Sequence, residues 1–274
     1  MKSARLFYRL DNAAARLWAN RIKQHLASKY PKVKLGASRP EVVIVLGGDG
    51  TILEAARKYQ ASNSLILGLN LGRVGFLAAV QAEEDFIPGI DQVLGGSYQI
   101  VERMMIEANV KRAGKAIFKA ISLNDVAVKS PLAMVDLQVA IDRRPYQYVH
   151  GSGVLVATAT GSTAYNLSAH GPIVMPHIQC MIVSELLDHN LPTPSLVVDP
   201  GRTITVEVLD FRTQGTLRLK AQPADVVVSA DGNQVFPLRI GDRIVVKKSA
   251  KHSRFAQVDP DAFLKGLQDK FAFK

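Results

Sequence analysis

Glycines and a single carboxylate follow one of the strongly apolar runs of the sequence. The run Val42–Leu46 ends at Gly47-Gly48-Asp49-Gly50-Thr51. Glycines let backbone N–H groups approach a phosphate closely, and the start of a helix favours negative charge. A carboxylate among such groups suits metal binding or proton transfer. The alternative is a strand-to-helix turn capped by Asp49, and these residues alone leave both interpretations open.

A second glycine-rich turn follows the next apolar run, at residues 65–69. It reads Asn70-Leu71-Gly72-Arg73-Val74-Gly75-Phe76-Leu77. In a parallel sheet, ligands bind beyond the carboxyl ends of the strands. Two such turns after two such strands therefore predict a nucleotide crevice at one edge of a sheet, although Phe76 is more often a core residue than a ligand platform.

Two further motifs carry polar side chains. Leu123-Asn124-Asp125 suits ribose hydroxyls, because a carboxylate accepts their hydrogens, but a simple turn is equally compatible. Thr160-Gly161-Ser162-Thr163-Ala164-Tyr165-Asn166 combines hydroxyls, small residues and an aromatic face, which suit a ligand loop or a capped helix start. The six histidines lack metal-ligand spacing, and Asp231-Gly232 predicts a hairpin turn.

Strands and helices alternate in the first hundred residues. Strands are predicted near 4–9, 42–46 and 65–69. Helices are predicted near 12–29 (capped by Asp11), 51–59 and 83–94. This order predicts a parallel sheet. From residue 98 to about 248 the segments are short and alternating, which predicts an all-β domain. A short amphipathic helix is predicted over 260–271, with Phe263, Leu267 and Phe271 on one side.

Composition narrows the class of protein. The 274 residues carry 34 Lys and Arg against 24 Asp and Glu, a net charge of +10 that suits anionic partners such as nucleotides. The basic residues are scattered, so we expect no nucleic-acid partner. No apolar run reaches ~18 residues, so no membrane span is expected. The early Arg9 and Asp11 argue against a signal peptide, and the one cysteine, Cys180, excludes an internal disulfide and favours a cytoplasmic location.

Taken in order, the four motifs resemble those of the NAD kinases, which use ATP or polyphosphate. The first motif is shared with diacylglycerol and sphingosine kinases, whereas Gly-Ser-Thr-Ala-Tyr is much more specific. The resemblance implies an N-terminal α/β domain with a Rossmann-like parallel sheet and a C-terminal β-sandwich domain, with the active site between them. The expected bounds are 1–97, 98–250 and a tail, 251–274, that returns to the first domain.

The resemblance also implies a reaction in which the γ-phosphoryl group of ATP moves to the 2′-hydroxyl of NAD's adenosine ribose. Asp49 matches the family's proton acceptor. Mg²⁺ or another divalent cation would arrive with ATP, and the resemblance assigns no protein residue to that cation. The expected phosphate-binding residues are Gly47, Gly48, Gly50, Thr51 and Asn70. The expected NAD-binding residues are Asp49, Gly50, Phe76, Asn124, Asp125, His150, Ser152, Thr163, Ala164, Tyr165, Asn166, Ser168 and Leu187.

Some positions depart from the family pattern. Ser152 stands where an Asp is usual, and Asp125 where Glu is commoner. The first departure bears on recognition at the nicotinamide end, and acceptance of NADH stays open. The family implies a homodimer or homotetramer. The alternatives are a lipid kinase of the diacylglycerol-kinase type, which would not need Gly-Ser-Thr-Ala-Tyr, and a non-catalytic nucleotide-binding protein.

Overall fold

The computed structural model describes residues 1–72, 75–188, 193–219 and 222–271. Arg73 and Val74 of the second motif, and His189, lie outside the described residues. The chain folds into two compact units, Met1–Arg103 with Lys251–Lys274, and Met104–Ala250. No helix among the described residues is long and apolar enough to cross a membrane.

The helices and strands have the following bounds. The helices are α1 (Ala13–Lys29), α2 (Asp49–Tyr59), α3 (Phe86–Leu94), α4 (Tyr165–Ser168) and α5 (Ala262–Phe271). The strands are β1 (Ser3–Tyr8), β2 (Lys34–Leu35), β3 (Val42–Leu46), β4 (Leu65–Leu69), β5 (Gln99–Arg112), β6 (Lys115–Ser122), β7 (Asp125–Lys129), β8 (Val135–Ile141), β9 (Arg144–Thr158), β10 (Met181–Asp188), β11 (Leu196–Val198), β12 (Thr203–Phe211), β13 (Arg218–Leu219), β14 (Gln222–Pro223), β15 (Val227–Ala230), β16 (Gln234–Pro237) and β17 (Arg243–Gln257). Short 3₁₀ turns occupy residues 60–62, 83–85 and 160–163.

The first unit is built on a parallel sheet in the order β17-β4-β3-β1-β2. Every residue of β3 and β4 is buried, as expected for central strands covered on both faces. Their register pairs Leu46 with Leu69, so the turns after them begin side by side. The predicted α/β unit with adjacent glycine-rich turns is confirmed.

Helix α1 covers this sheet with a regular apolar stripe. Ala15, Trp18, Ile22 and Leu26 are buried at steps of three and four residues. Its cap is Asn12, whose side chain accepts the N–H of Ala15 at 3.0 Å, and not Asp11 as the sequence predicted. The reason is that Asp11 lies one residue too early, in a turn where its carboxylate pairs with Arg9.

The second unit is β-rich, as predicted. An antiparallel sheet runs in the order β16-β15-β7-β9-β8-β12-β17, and β10 pairs with the C-terminal half of β9. Its core comes from alternating strand positions such as Ile106, Leu137, Val156 and Val206. Asp231 and Gly232 both have positive φ, 47° and 71°, in the tight turn between β15 and β16, which confirms the predicted hairpin.

Candidate active site

Asp49 of the first unit is the first residue of α2, and Gly48 is the N-cap. The helix therefore starts two residues before the predicted Thr51. The two carboxylate oxygens accept backbone N–H groups from the second glycine-rich turn, Oδ2 from Phe76 at 2.9 Å and Oδ1 from Leu77 at 3.2 Å. A carboxylate has about four lone-pair sites, so each oxygen keeps one with which to accept a further hydrogen.

Gly75 is the residue that lets the second turn reach Asp49. A Cβ at position 75 would lie 2.2 Å from Oδ1 of Asp49, which no side chain tolerates. The turn thus needs a glycine here for close approach and not for an unusual backbone angle. The sequence placed the two turns at one edge of the sheet, and the structure joins them through this carboxylate.

The other predicted phosphate-binding residues lie in the same two turns. The Gly47 N–H donates to Leu69 O at 3.1 Å, which connects the end of β3 to the end of β4. Asn70 is buried, and its side-chain amide donates to Gly72 O at 3.3 Å. Gly48 is the N-cap of α2, and Gly50 and Thr51 lie in its first turn. The Thr51 N–H donates to Gly48 O at 2.9 Å, and the start of the helix attracts anions through its dipole.

Arg103 is a charged residue near this site that the sequence reasoning missed. It is buried in the first unit, and its guanidinium lies 4.9 Å from the centre of the Phe255 ring. Burial lowers the pKa of Arg103 to about 10, although the charge of Asp49 opposes that shift. Arg103 therefore stays cationic at neutral pH and places a positive charge where it interacts with Asp49. Its position in the apolar stretch Ile100–Ile106 is the only signal the sequence offered.

In the second unit, Asp231 holds the Leu123-Asn124-Asp125 loop. Its Oδ1 accepts from the Ser122 hydroxyl and from the Asn124 N–H at 2.7 Å, and its Oδ2 accepts from the Leu123 N–H at 3.1 Å. Such bonds to an ionised acceptor are stronger than neutral ones. The sequence predicted the turn that carries Asp231 but not this role.

The same loop packs against the Thr160–Asn166 motif. Thr158 donates its N–H to Asn124 O at 2.8 Å and its hydroxyl to Leu123 O at 2.6 Å. A Cβ on Gly161 would lie 2.1 Å from Asn124 O, so glycine is required there for close approach. Leu123 and Thr158 are 35 positions apart along the chain. The structure thus brings two distant motifs together within the second unit.

Asp125, Lys129 and Tyr165 form a cluster of interacting side chains in this unit. It is 6% exposed, and Asp125 and Lys129 lie on the same face of β7, four residues apart. The Lys129 ammonium lies 4.9 Å from the centre of the Tyr165 ring. Burial and the charge of Asp231 raise the pKa of Asp125 to about 7, with Lys129 opposing the shift. Lys129 was not among the predicted site residues.

We expect the shifted pKa of Asp125 to appear in the pH dependence of stability. The unshifted pKa is 3.8, so the folded chain binds more protons than the unfolded chain between about pH 4 and about pH 7. The free energy of unfolding should therefore fall as pH rises through that window, by an amount that Asp125→Asn removes. Urea unfolding of both proteins at several pH values tests this expectation, and identical pH profiles would contradict it.

Beside this cluster lies a cavity of about 890 Å³, contained within the second unit. Four of the predicted NAD-binding residues line it: Ser152, Tyr165, Ser168 and Leu187. Lys129 and Glu185 line it as well. Leu187 has φ of 48°, in the left-handed region that is rare for a branched residue, and its side chain is 77% exposed. Such strained positions cluster at ligand sites.

The remaining predicted residues of the second unit do not line this cavity. His150 pairs with Asp136 and lines an adjoining cavity of about 640 Å³, which Ser152 shares. Thr163 and Ala164 lie in the 3₁₀ turn and its C-cap. Asn166 is fully buried, and its amide donates to Pro172 O at 3.1 Å and accepts from the Ser184 hydroxyl at 2.8 Å.

Models of known families match both parts of the chain. The ATP-NAD kinase N-terminal domain matches residues 24–98, and the ATP-NAD kinase C-terminal domain matches residues 123–258. The NAD kinase of Symbiobacterium thermophilum is 37% identical over 234 residues, which cover 85% of this chain and 78% of the relative. The NAD kinase of Geotalea daltonii is 32% identical over 257 residues, covering 91% and 86%.

Solved structures have the same fold. A yeast NADH kinase complexed with NADH superposes with a TM-score of 0.87 at 19% identity, over 100% of this chain and 88% of that one. An NAD kinase from Archaeoglobus fulgidus in complex with ATP gives a TM-score of 0.76 at 24% identity, over 99% and 100%. The alternative of a diacylglycerol-type lipid kinase is not favoured. These relatives are more than 30% identical to this chain, and the match covers more than two thirds of their length. The chain therefore belongs to the NAD kinase family.

Proposed function

We propose that this chain transfers the γ-phosphoryl group of ATP to the 2′-hydroxyl of the adenosine ribose of NAD, with Asp49 as the proton acceptor. A bond forms between the 2′-oxygen and the γ-phosphorus, the bond from that phosphorus to the β–γ bridging oxygen breaks, and ADP leaves. The hydroxyl proton passes to Asp49. The observation that carries the proposal is the Asp49 carboxylate, held by the N–H groups of Phe76 and Leu77 beside the first turn of α2.

The phosphates of ATP would bind to backbone N–H groups in the first turn of α2, with Gly47, Gly48, Gly50, Thr51 and Asn70 around them. Helix α2 has eleven residues, and the positive end of its dipole lies at this first turn. Positioning and charge neutralisation carry most of the catalysis of phosphoryl transfer. The buried cation of Arg103 adds a positive charge that interacts with Asp49.

No three His, Cys, Asp or Glu side chains in the described part of the chain are grouped as a metal requires. The carboxylate in the glycine turns, Asp49, already accepts two N–H groups. We propose that Mg²⁺ arrives as part of the MgATP substrate, held by the phosphates of ATP.

NAD would bind in the second unit, with Asn124 and Asp125 at the ribose hydroxyls and Tyr165 against a ring of the ligand. The further contacts that we propose in this unit come from His150, Ser152, Thr163, Ala164, Asn166, Ser168 and Leu187. Phe76, a residue of the first unit, is also proposed to contact NAD. The cavity lined by Lys129 and Tyr165 supports NAD binding in this unit, because its volume of about 890 Å³ lies in the range of small-molecule sites. Asn124 and Asp125 are not among the residues that line this cavity. The NADH and ATP complexes of the two structural neighbours are compatible with both ligands.

A coupled assay tests the reaction directly. The protein is incubated with NAD, ATP and Mg²⁺, and NADP is detected with an NADP-specific dehydrogenase. Parallel reactions replace ATP with polyphosphate and NAD with NADH. The proposal requires NADP formation that depends on both substrates. A rise in melting temperature with a lipid headgroup but not with NAD would instead favour the lipid-kinase alternative.

Asp125→Ala, assayed at a pH above the Asp125 pKa of about 7, should chiefly raise the KM for NAD, by roughly tenfold to a hundredfold. The carboxylate is ionised there, and hydrogen bonds to a charged group contribute about 1.5–3 kcal/mol. The kcat at saturating NAD should change much less, since the ribose contact is made before and during the transfer alike. Initial rates over a range of NAD concentrations give both constants. Glu207→Ala, which removes a carboxylate of the same unit that pairs with Arg243 and lines neither cavity, is the comparison. An unchanged KM in Asp125→Ala would remove the ribose assignment.

We further propose a cytoplasmic homodimer or homotetramer. The thiol of Cys180 is free and buried, which suits a reducing compartment. Exposed apolar side chains in the second unit, among them Tyr146, Tyr148 and Val197, favour association between copies. Sedimentation equilibrium gives the mass in solution, and a monomer at micromolar concentration would contradict the assembly.

A further inference from the structure

Phe76 connects the proposed catalytic carboxylate to the C-terminal helix. Its backbone N–H donates to Asp49 Oδ2 at 2.9 Å. Its ring lies against α5, with the ring of Phe263 5.7 Å away and tilted by 49°. The ammonium of Lys270 lies 4.7 Å from the centre of the same ring. One residue thus contacts Asp49 through its backbone and α5 through its side chain.

The contacts come from one face of α5. Phe263, Gly266 and Lys270 stand three and four residues apart, which places them on a single stripe of a helix. Gly266 is the buried residue of α5, and a Cβ there would lie 3.6 Å from Cδ1 of Phe76. The ring therefore packs directly on the helix backbone. Phe263 also belongs to the predicted apolar side of this helix, with Leu267 and Phe271, and all three are partly buried.

The start of α5 is held separately from this contact. Asp259 accepts the Asp261 N–H at 2.9 Å and the Lys265 ammonium at 2.6 Å. The Gln92 side chain donates to Val258 O at 3.3 Å. A helix of ten residues is marginal in isolation, so these anchors and the Phe76 contact together keep it in place.

We propose that α5 clamps Phe76 and thereby fixes the orientation of Asp49, so that Phe263, Gly266 and Lys270 are positioning residues for the phosphoryl transfer. The inference rests on the proposed role of Asp49. The ring held from α5 keeps residues 76 and 77 in the arrangement in which both N–H groups reach the carboxylate. Once the ring is displaced, those bonds lengthen and the carboxylate leaves the orientation needed to accept the hydroxyl proton.

Matched substitutions on α5 test the clamp. Gly266→Ala fits the 3.6 Å space, whereas Gly266→Leu pushes the ring away. We expect Gly266→Leu to lower kcat by roughly tenfold or more, because small misplacements of reacting groups are costly, with little change in the KM for ATP. Lys270→Met should act in the same direction more weakly, and Lys270→Arg should restore the cation above the ring. Leu264→Ala, half-exposed on the same helix, is the control and should stay within about twofold of wild type.

Amide hydrogen exchange at Phe76 and Leu77 separates positioning from general stability. In Gly266→Leu both amides should exchange at least about tenfold faster, while amides of the central strand β3 keep their protection. Unchanged exchange and unchanged kcat in Gly266→Leu would overturn the clamp. Different results would contradict the proposed function: a wild-type chain that makes no NADP, or an Asp49→Asn variant with normal turnover. The exchange data test the contact between α5 and Phe76 whether or not the proposed function holds.

Discussion

Asp49→Asn should lose most of its kcat, by a factor of about 10² to 10⁴, which is the usual contribution of a positioned proton acceptor. NAD should still bind nearly as tightly as to the wild-type chain, because the proposed ribose contacts come from Asn124 and Asp125. Single-turnover formation of NADP measures the chemical step, and calorimetric titration with NAD measures binding.

The structure adds a complication to this variant. Asp49 accepts two N–H groups, and an asparagine offers one acceptor oxygen and one NH₂ donor. Asp49→Asn should therefore also destabilise the first unit by about 1–3 kcal/mol. Gly75→Ala provides the comparison, because it keeps the carboxylate but would place a Cβ 2.2 Å from Oδ1 and so displace it.

The two variants distinguish a proton acceptor from a loop anchor. If Asp49 only anchors the turn, kcat should fall in step with stability in both variants. If it takes the proton, Asp49→Asn should lose far more activity than Gly75→Ala at equal loss of stability. Glu54→Gln removes an exposed carboxylate from the same helix and should leave both quantities nearly unchanged. Near-normal turnover in Asp49→Asn would reject the assignment.

Asp231→Asn should disorganise the Asn124–Asp125 loop and raise the KM for NAD by roughly tenfold or more. The amide nitrogen that replaces Oδ2 cannot accept the Leu123 N–H, and the remaining bonds lose their charge assistance. The cost to stability should be about 1–3 kcal/mol. Asparagine tolerates the positive φ of 47° at this position, so the backbone of the hairpin is preserved.

A second effect of Asp231→Asn has a definite sign. The charge of Asp231 helps to raise the pKa of Asp125, so its removal should lower that pKa. The pH-dependent fall in the free energy of unfolding should then end at a lower pH and be smaller, because only the folded-state pKa changes. Denaturant unfolding across pH checks the shift, and Asp225→Asn is the matched control, because Asp225 also accepts two backbone N–H groups, from Gln214 and Gly215. Equal effects of the two substitutions would contradict a specific role for Asp231.

The local elements that position the site were largely readable from the sequence. The continuous apolar runs at β3 and β4 predicted buried parallel strands, and the structure confirms both. The glycine-rich turns after them lie at one edge of the sheet because parallel strands in register end together. Each of these features is encoded in residues that are close along the chain, and this is why periodicity and turn chemistry predict it.

Contacts between distant residues were decided by the tertiary structure alone. No local pattern relates Asp231 to Asn124, which is 107 positions away, or Phe76 to Lys270. The raised pKa of Asp125 likewise depends on burial and on the charge of Asp231, which the fold brings from a distant segment. The sequence by itself therefore determined the elements, the order of the motifs and the family. Folding alone decided which side chains hold those motifs, since burial and distance exist only once the chain is packed.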